Sequence, residues 1–434
     1  MTPTAIGATG VAVLILLIIL RVPIGVALAL VGYLGYAAIE GWTRAGAVVG
    51  NVPIELASAY SLSVLPLFAV MGTLTAVAGL SSDLFKAGNA VFRGTRGAYA
   101  QSAIFASALF GAVCGSSLAT AAALGKVSIP EMLRSGYPKA LAAGAVAAGG
   151  TLGILIPPSL ILMIYAVIAQ LSVVDLFAAA LVPGLLLMVL YIAVTFVVVR
   201  IGKSPWSVPP AKTSAEPIAR ALLRVWHVAL LFGLTIGGIY AGWFTPTEAA
   251  AIGAFGALLL GLVTRRLSAR AAYGAFDETV RLVASLTFIV IASTMFSYFI
   301  VQTGVSRDIG DWISQSGFSP VAVICFVFLF YLVLGSFLEG MGMVLITVPI
   351  LLPVVTGVGF DPIWFGVFLV VMIEIGLVTP PVGMNLFVLR AVAPEIGMRD
   401  AYLGILPYLA APFLLTVLLV AFPQLALWLP QALR

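Results

Sequence analysis

The sequence predicts an all-α polytopic membrane protein made of inverted-topology repeats, each holding a re-entrant helical hairpin and a helix broken at a Pro-Pro pair. Three observations carry this prediction. Hydrophobic residues make up 62% of the chain and charged residues 9%, with mean hydropathy +1.19, whereas a soluble domain carries about 25% charged residues. Two apolar stretches lie between loops of one charge character, yet each is too short to cross a bilayer twice. Two motifs with paired prolines recur at a constant spacing.

The N-terminal run MTPTAIGATGVAVLILLIILRVPIGVALAL has no basic region ahead of its apolar part and no small-residue cleavage site, so a retained helix is expected. Interrupted at Arg21-Val22-Pro23, the first forty residues read as two short helices, and 1–60 reads as N-terminal scaffold helices. A helix of about 60–80 follows the acidic loop at Glu55. Lys86, Arg93 and Arg96 precede the next apolar stretch, and Lys126, Arg134 and Lys139 follow it. If basic loops stay on the cytoplasmic side, the stretch 97–125 enters and leaves on one face, since two crossings need about 40 residues. It is expected to be a hairpin of two half-helices with Gly115-Ser116-Ser117 at its tip. Irregular backbone at membrane depth is tolerated only inside protein or along a watery cavity.

Segment 140–170 then goes out as a helix broken at Pro157-Pro158, and 176–199 returns, closing a first repeat of 61–199. The linker 200–225, KSPWSVPPAKTSAEP at its heart, is basic and rich in loop residues. Segments 226–244 and 246–263 form an out-and-back scaffold pair within 226–281. Acids at helix starts favour the dipole, which suits Asp175 and Glu248, the latter following Thr245-Pro246-Thr247. The second repeat, 282–401, holds an outgoing helix at 282–303, a second hairpin at 320–352 and a broken helix at 363–389. A C-terminal helix occupies 402–434.

The repeats are related by a fixed shift. Gly153-Ile-Leu-Ile-Pro157-Pro158-Ser159 matches Gly376-Leu-Val-Thr-Pro380-Pro381-Val382, and 376−153, 380−157 and 353−130 all equal 223. The same shift lays the basic loop 86–96 on 309–319, which holds only the acidic Asp311. Equivalent loops of opposite charge character are what an inverted repeat requires.

The residues resemble a known family. GAVCGSSLATAAALG, GYPKALAAGAVAAGGTLGILIPPSLILMIYA, FTPTEAAAIGA, GSFLEGMGMVLITVPILLPV and DPIWFGVFLVVMIEIGLVTPPVGMNLFVL look like the large membrane subunit of tripartite ATP-independent periplasmic (TRAP) transporters, the DctM-like family, nearly end to end. The resemblance implies a sodium-driven importer of small organic acids in the bacterial inner membrane, working by an elevator mechanism in which a domain holding both hairpins slides against a scaffold. It also implies two partners, a small membrane subunit and a soluble periplasmic binding protein. A separate small subunit is expected, because Pro3 opens the large-subunit pattern almost at once. Cys114 departs from the serine that is usual before Gly115.

Site chemistry follows from the breaks. Sodium prefers oxygen ligands, and broken helices supply free carbonyls. Ser116, Ser117 and Thr120 add hydroxyls at the first tip, and each proline around Gly153, Pro157 and Ser159 lacks an N–H and leaves a carbonyl free. One sodium is expected between these elements. By the repeat, a second is expected between Gly335, Ser336 and Gly340 and the stretch Thr379-Pro380. Each single hydroxyl equally suits helix packing or back-bonding to its own turn. Half-helix N-termini attract an anionic substrate, with Ser117, Thr379 and Asn385 as its expected contacts, though Asn385 equally suits an interhelical hydrogen bond. Glu339 and Glu374 are either coupling acids or structural acids that cap half-helix N–H groups or pair with a base, because an ionised carboxylate in the bilayer is costly.

Other classes fit less well. A channel needs pore-lining charge rings, an intramembrane protease needs a nucleophile and base beside the sole His227, and an ATP pump needs a phosphate loop that is missing. His227 reads as an interfacial residue, and Cys114 and Cys325 as small buried residues with no disulfide, cofactor or transition-metal role. The net charge of +5 lies mostly in loops, so no nucleic acid is implied. The alternative transport reading is a proton-coupled organic-anion carrier that uses Glu339 and Glu374 without a binding protein.

Overall fold

The computed structural model describes residues 2–201, 206, 208, 217–380 and 382–433, and among these there are helices and connections but no strands. Most of the linker lies outside the described residues, as does Pro381. In chain order the helices are α1 (Pro3–Ile19), α2 (Ile24–Glu40), α3 (Trp42–Ser58), α4 (Val64–Val77), α5 (Leu80–Val91), α6 (Ala98–Cys114), α7 (Ser117–Arg134) and α8 (Lys139–Leu155). They continue with α9 (Leu160–Ala169), α10 (Val173–Ile201), α11 (Ile218–Arg224), α12 (Trp226–Phe232), which passes through a π-turn at Gly233–Gly237 into α13 (Gly238–Tyr240), and α14 (Pro246–Val263). The last third holds α15 (Ala269–Thr303), α16 (Val305–Gln315), α17 (Pro320–Gly335), α18 (Gly340–Gly357), α19 (Pro362–Val378), α20 (Met384–Val392), α21 (Met398–Ala421) and α22 (Gln424–Ala432). Among the described residues six helical spans are long and apolar enough to cross a membrane, or seven if the bent α4–α5 pair is one span.

The helix starts are written in the sequence. Thr2-Pro3, Thr245-Pro246, Ser319-Pro320 and Asp361-Pro362 each place a capping side chain before a proline at the first helical position, where the missing N–H costs nothing. At α14 Glu248 completes a capping box with Thr245, as its position after Pro246 suggests. Asp175 stands in the first turn of α10.

Helix bounds repeat along the chain. The starts of α7 and α18 (340−117), the starts of α8 and α19 (362−139) and their ends (378−155) all differ by 223. α8 and α19 are the central pair: every residue from Ala140 to Leu155 and from Ile363 to Val378 is buried, and the two helices touch. A helix apolar all round belongs inside a bundle. Lipid gives no hydrophobic drive for helix association, so close backbone approach through small residues takes its place. α8 shows this at Gly144, where an added Cβ would lie 2.1 Å from the Gly404 carbonyl oxygen of α21.

Several boundaries differ from the sequence reading. Residues 86–91 are not loop but the end of α5, which bends 70° from α4, and 309–315 are likewise helical in α16. Both carry charges along an amphipathic face, which hydropathy reads as loop. Glu55 lies within α3, the second limb of the first hairpin runs on to Arg134, α15 begins at Ala269, and the C-terminal segment divides before Gln424. Cys325 is exposed, because it sits on an outward face of α17, whereas Cys114 is buried as expected. His227 is buried, its Nε2 4.0 Å from Asp83 Oδ2, and Arg266 pairs with the same carboxylate.

Candidate functional site

α6 ends at Gly115, whose left-handed φ of +68° suits a residue without Cβ. The chain reverses there, and Ser116 caps α7 by accepting a hydrogen bond from the Ala119 N–H at 3.4 Å. This tip rests on the break in the α8–α9 segment. The Leu160 N–H donates to the Gly115 carbonyl at 3.4 Å, and a Cβ added at 115 would lie 2.6 Å from the Pro158 carbonyl oxygen. Ser159 caps α9 and donates its hydroxyl to the Ile154 carbonyl at 2.5 Å.

Gly153 faces an oxygen-lined cradle. An added Cβ would lie 2.7 Å from Thr120 Oγ1 and 2.8 Å from the Ser116 carbonyl oxygen, and the Thr120 hydroxyl itself donates to that carbonyl at 2.7 Å. Six expected residues, Ser116, Ser117, Thr120, Gly153, Pro157 and Ser159, therefore gather at one tip and one break. Four of them also have structural tasks: Ser116 and Ser159 are N-caps, Thr120 back-bonds to its own turn, and Ser117 bonds Asn385. A donor set of hydroxyls and carbonyls with no thiolate or imidazole suits a hard monovalent cation.

The second repeat makes the corresponding contact with different side chains. An added Cβ at Gly376 would lie 2.8 Å from the Gly335 carbonyl oxygen. The Ser336 hydroxyl donates to the Leu332 carbonyl at 2.9 Å, and that of Thr379 to the Ile375 carbonyl at 2.6 Å. Gly340 packs on Ile373 of α19 and Ile161 of α9, while Pro380 is exposed. Glu339 takes the N-cap position of α18 without a side-chain capping bond, and Gly383 does so at α20. The Glu339 carboxyl still reaches the Met341 N–H in the first turn of α18, whereas the start of α20 has no capping side chain of the kind Ser116 and Ser159 supply in the first repeat.

The repeats interlock. α7 packs on α20, and α18 on α9, so the second limb of each hairpin meets the helix after the break of the other repeat. Asn385 of α20 is fully buried and bonded to Ser117 of α7, so the interhelical bond is made. The Ser117 bond links hairpin one to the second repeat in a way that spacing alone does not reveal. Ser107 was also missed: its buried hydroxyl has no hydrogen-bond partner among the described residues, and it faces Gly149 on the α6–α8 seam. Glu374 lies in α19 with no capping or basic partner among the described residues, so the structural one of the two roles weighed for it lacks a contact here.

The family profile described as "Tripartite ATP-independent periplasmic transporter, DctM component" matches residues 11–425. The chain belongs to this family. It is a transporter permease subunit and not an enzyme. The C4-dicarboxylate TRAP transporter large permease protein DctM of Pseudomonas aeruginosa is 37% identical over 378 residues, covering 87% of this DctM-family chain and 88% of that protein. The sialic acid TRAP transporter large permease protein SiaM of Vibrio cholerae is 32% identical over 373 residues, with 86% of each covered. The crystal structure of the Alcanivorax borkumensis YdaH transporter matches with TM-score 0.58 and 16% identity over 88% of this chain and 89% of that one, a likeness of fold alone.

Proposed function

We propose that this DctM-family chain is the large transmembrane subunit of a sodium-coupled importer of a small organic acid. The contact that carries this reading is the hairpin tip Gly115-Ser116 seated on the break at Gly153–Ser159, where hydroxyl and carbonyl oxygens converge at mid-chain of two apolar segments. The hairpins α6–α7 and α17–α18 are re-entrant in this reading. One sodium is held by Ser116, Thr120 and the carbonyls near Gly153 and Pro157, and a second by Gly335, Ser336, Thr379 and Pro380. The uncapped start of α20 attracts the substrate carboxylate.

The interlocked limbs favour an elevator motion, because α7–α20 and α18–α9 contacts join both hairpins and both broken helices into one body. Relatives named for C4-dicarboxylates and sialic acid support an acidic substrate. A separate small membrane subunit and a periplasmic binding protein complete the system in the bacterial inner membrane. Uptake into proteoliposomes holding this chain with its small subunit tests the reading. Accumulation that requires both an inward sodium gradient and the cognate binding protein is expected, and accumulation indifferent to sodium contradicts it.

A further inference from the structure

Glu374 lies inside α19 at 0% exposure, and neither carboxyl oxygen has a hydrogen-bond partner among the described residues. By the 223-residue shift its counterpart in α8 is Thr151 (374−151), whose hydroxyl shares a 3.1 Å hydrogen bond with Tyr191 of α10. Tyr191 lies within electrostatic reach of Glu374. One turn further along α10, Thr195 shares a 2.8 Å hydrogen bond with Tyr408 of α21, whose ring packs edge-on to that of Tyr191. Thr195 also borders Gly97 at the base of hairpin one, a little over one turn before Arg200. Four buried hydroxyls thus lie along α10 as two hydrogen-bonded pairs, Thr151–Tyr191 and Thr195–Tyr408.

Among the described residues no cation pairs with the carboxylate. On α10 the titratable groups are Tyr191, within electrostatic reach of it, and Asp175 and Arg200 at the ends of that helix. On α21, Tyr408 stands behind Tyr191, and Arg399, Asp400 and Tyr402 lie in the first turns. The hydroxyl of Tyr165 on α9 is bonded to the Pro362 carbonyl, and that of Tyr331 on α17 to Thr347. Lys139 opens α8 and Arg390 falls in the last turn of α20, while α18 and α22 contain no acid or base, Glu339 preceding α18. An ionised carboxylate so placed costs several kcal/mol.

We propose that Glu374 is a proton-binding site of the transporter: the packed state holds its carboxyl as the neutral acid, facing Tyr191, and transport requires that proton. The proton comes from bulk water and returns to it, with no other bond made or broken. This adds a titratable group to the proposed sodium cycle, and only its uptake arm rests on that reading.

Infrared spectroscopy of the purified full chain tests it directly. A carbonyl-stretch band of a protonated carboxylic acid is expected to persist at neutral pH, where exposed carboxyls are already ionised, to survive in E339Q and to vanish in E374Q. Absence of the band, or its survival in E374Q, overturns the proposal. In proteoliposomes, uptake is expected to fall on the alkaline side with a single-proton slope, about tenfold per pH unit, and E374Q should remove that slope. A folded E374Q chain that keeps the slope, or shows no uptake at any pH, overturns the transport role. Sodium dependence, read in the same assay, reports separately on the sodium mechanism.

Discussion

Ser117 and Asn385, 268 residues apart, exchange two hydrogen bonds: the Ser117 hydroxyl donates to Asn385 Oδ1 at 3.0 Å, and Asn385 Nδ2 donates to Ser117 Oγ at 2.7 Å. A single hydroxyl hydrogen cannot serve while its oxygen accepts in a crowded site without fixing both rotamers. The pair therefore sets the register of hairpin one against α20. The remaining Asn385 contact, to the Ala147 carbonyl at 3.5 Å, is long.

Ser117→Ala is expected to leave the buried Asn385 amide under-satisfied and to cost about 1–3 kcal/mol. Thermal unfolding in detergent reads this as a lower Tm. In a double-mutant cycle with Asn385→Ala the losses should be less than additive, since each change removes the same link. Additive losses would mean that the two side chains act independently.

Gly144→Ala is expected to prevent normal packing, because the new Cβ would lie 2.1 Å from the backbone carbonyl of Gly404 and neither helix has a flexible group to move aside. Loss of monodisperse protein in size-exclusion chromatography checks it. Gly46→Ala and Gly50→Ala in α3 have no atom within 4 Å of the new Cβ. They should keep the fold and gain roughly 0.5–1 kcal/mol each from helix propensity.

Arg266→Gln should leave Asp83 buried beside His227 without its cation. A fully buried pair broken in this way loses about 3–5 kcal/mol, and Arg266 is partly exposed, so a smaller loss is expected. Adding Asp83→Asn should recover much of the stability, as measured by thermal unfolding. If the double variant is no more stable than Arg266→Gln alone, the ion pair is not the contact that joins α5 to the α14–α15 connection.

Much of the fold is legible in the sequence because its main devices are local. The Gly-x-x-x-Pro-Pro stretches after Gly153 and Gly376 break α8 from α9 and α19 from α20, and the capping residues before Pro246, Pro320 and Pro362 start helices where they stand. α5 and α16 were hidden because charged residues such as Lys86 and Asp311 on one face lower mean hydropathy without ending the helix. α3 was hidden in the same way by Arg44 and Glu55. The gathering of Ser116 and Thr120 around Gly153 could be foreseen from the repeat, but the bond from Ser117 to Asn385 depends on how two distant half-helices cross. Spacing along one chain carries no signal for that.

The central claim is that the two tip-and-break junctions hold sodium, and equilibrium binding of radiosodium to the purified chain tests it most directly. Saturable binding of two sodium ions that potassium does not displace is predicted, with Gly153→Ala, whose methyl group would fill the oxygen-lined cradle, weakening one of the two at least about tenfold, or about 1.4 kcal/mol, and leaving the other. Binding that is absent, or that is unchanged in a folded Gly153→Ala chain, would contradict it.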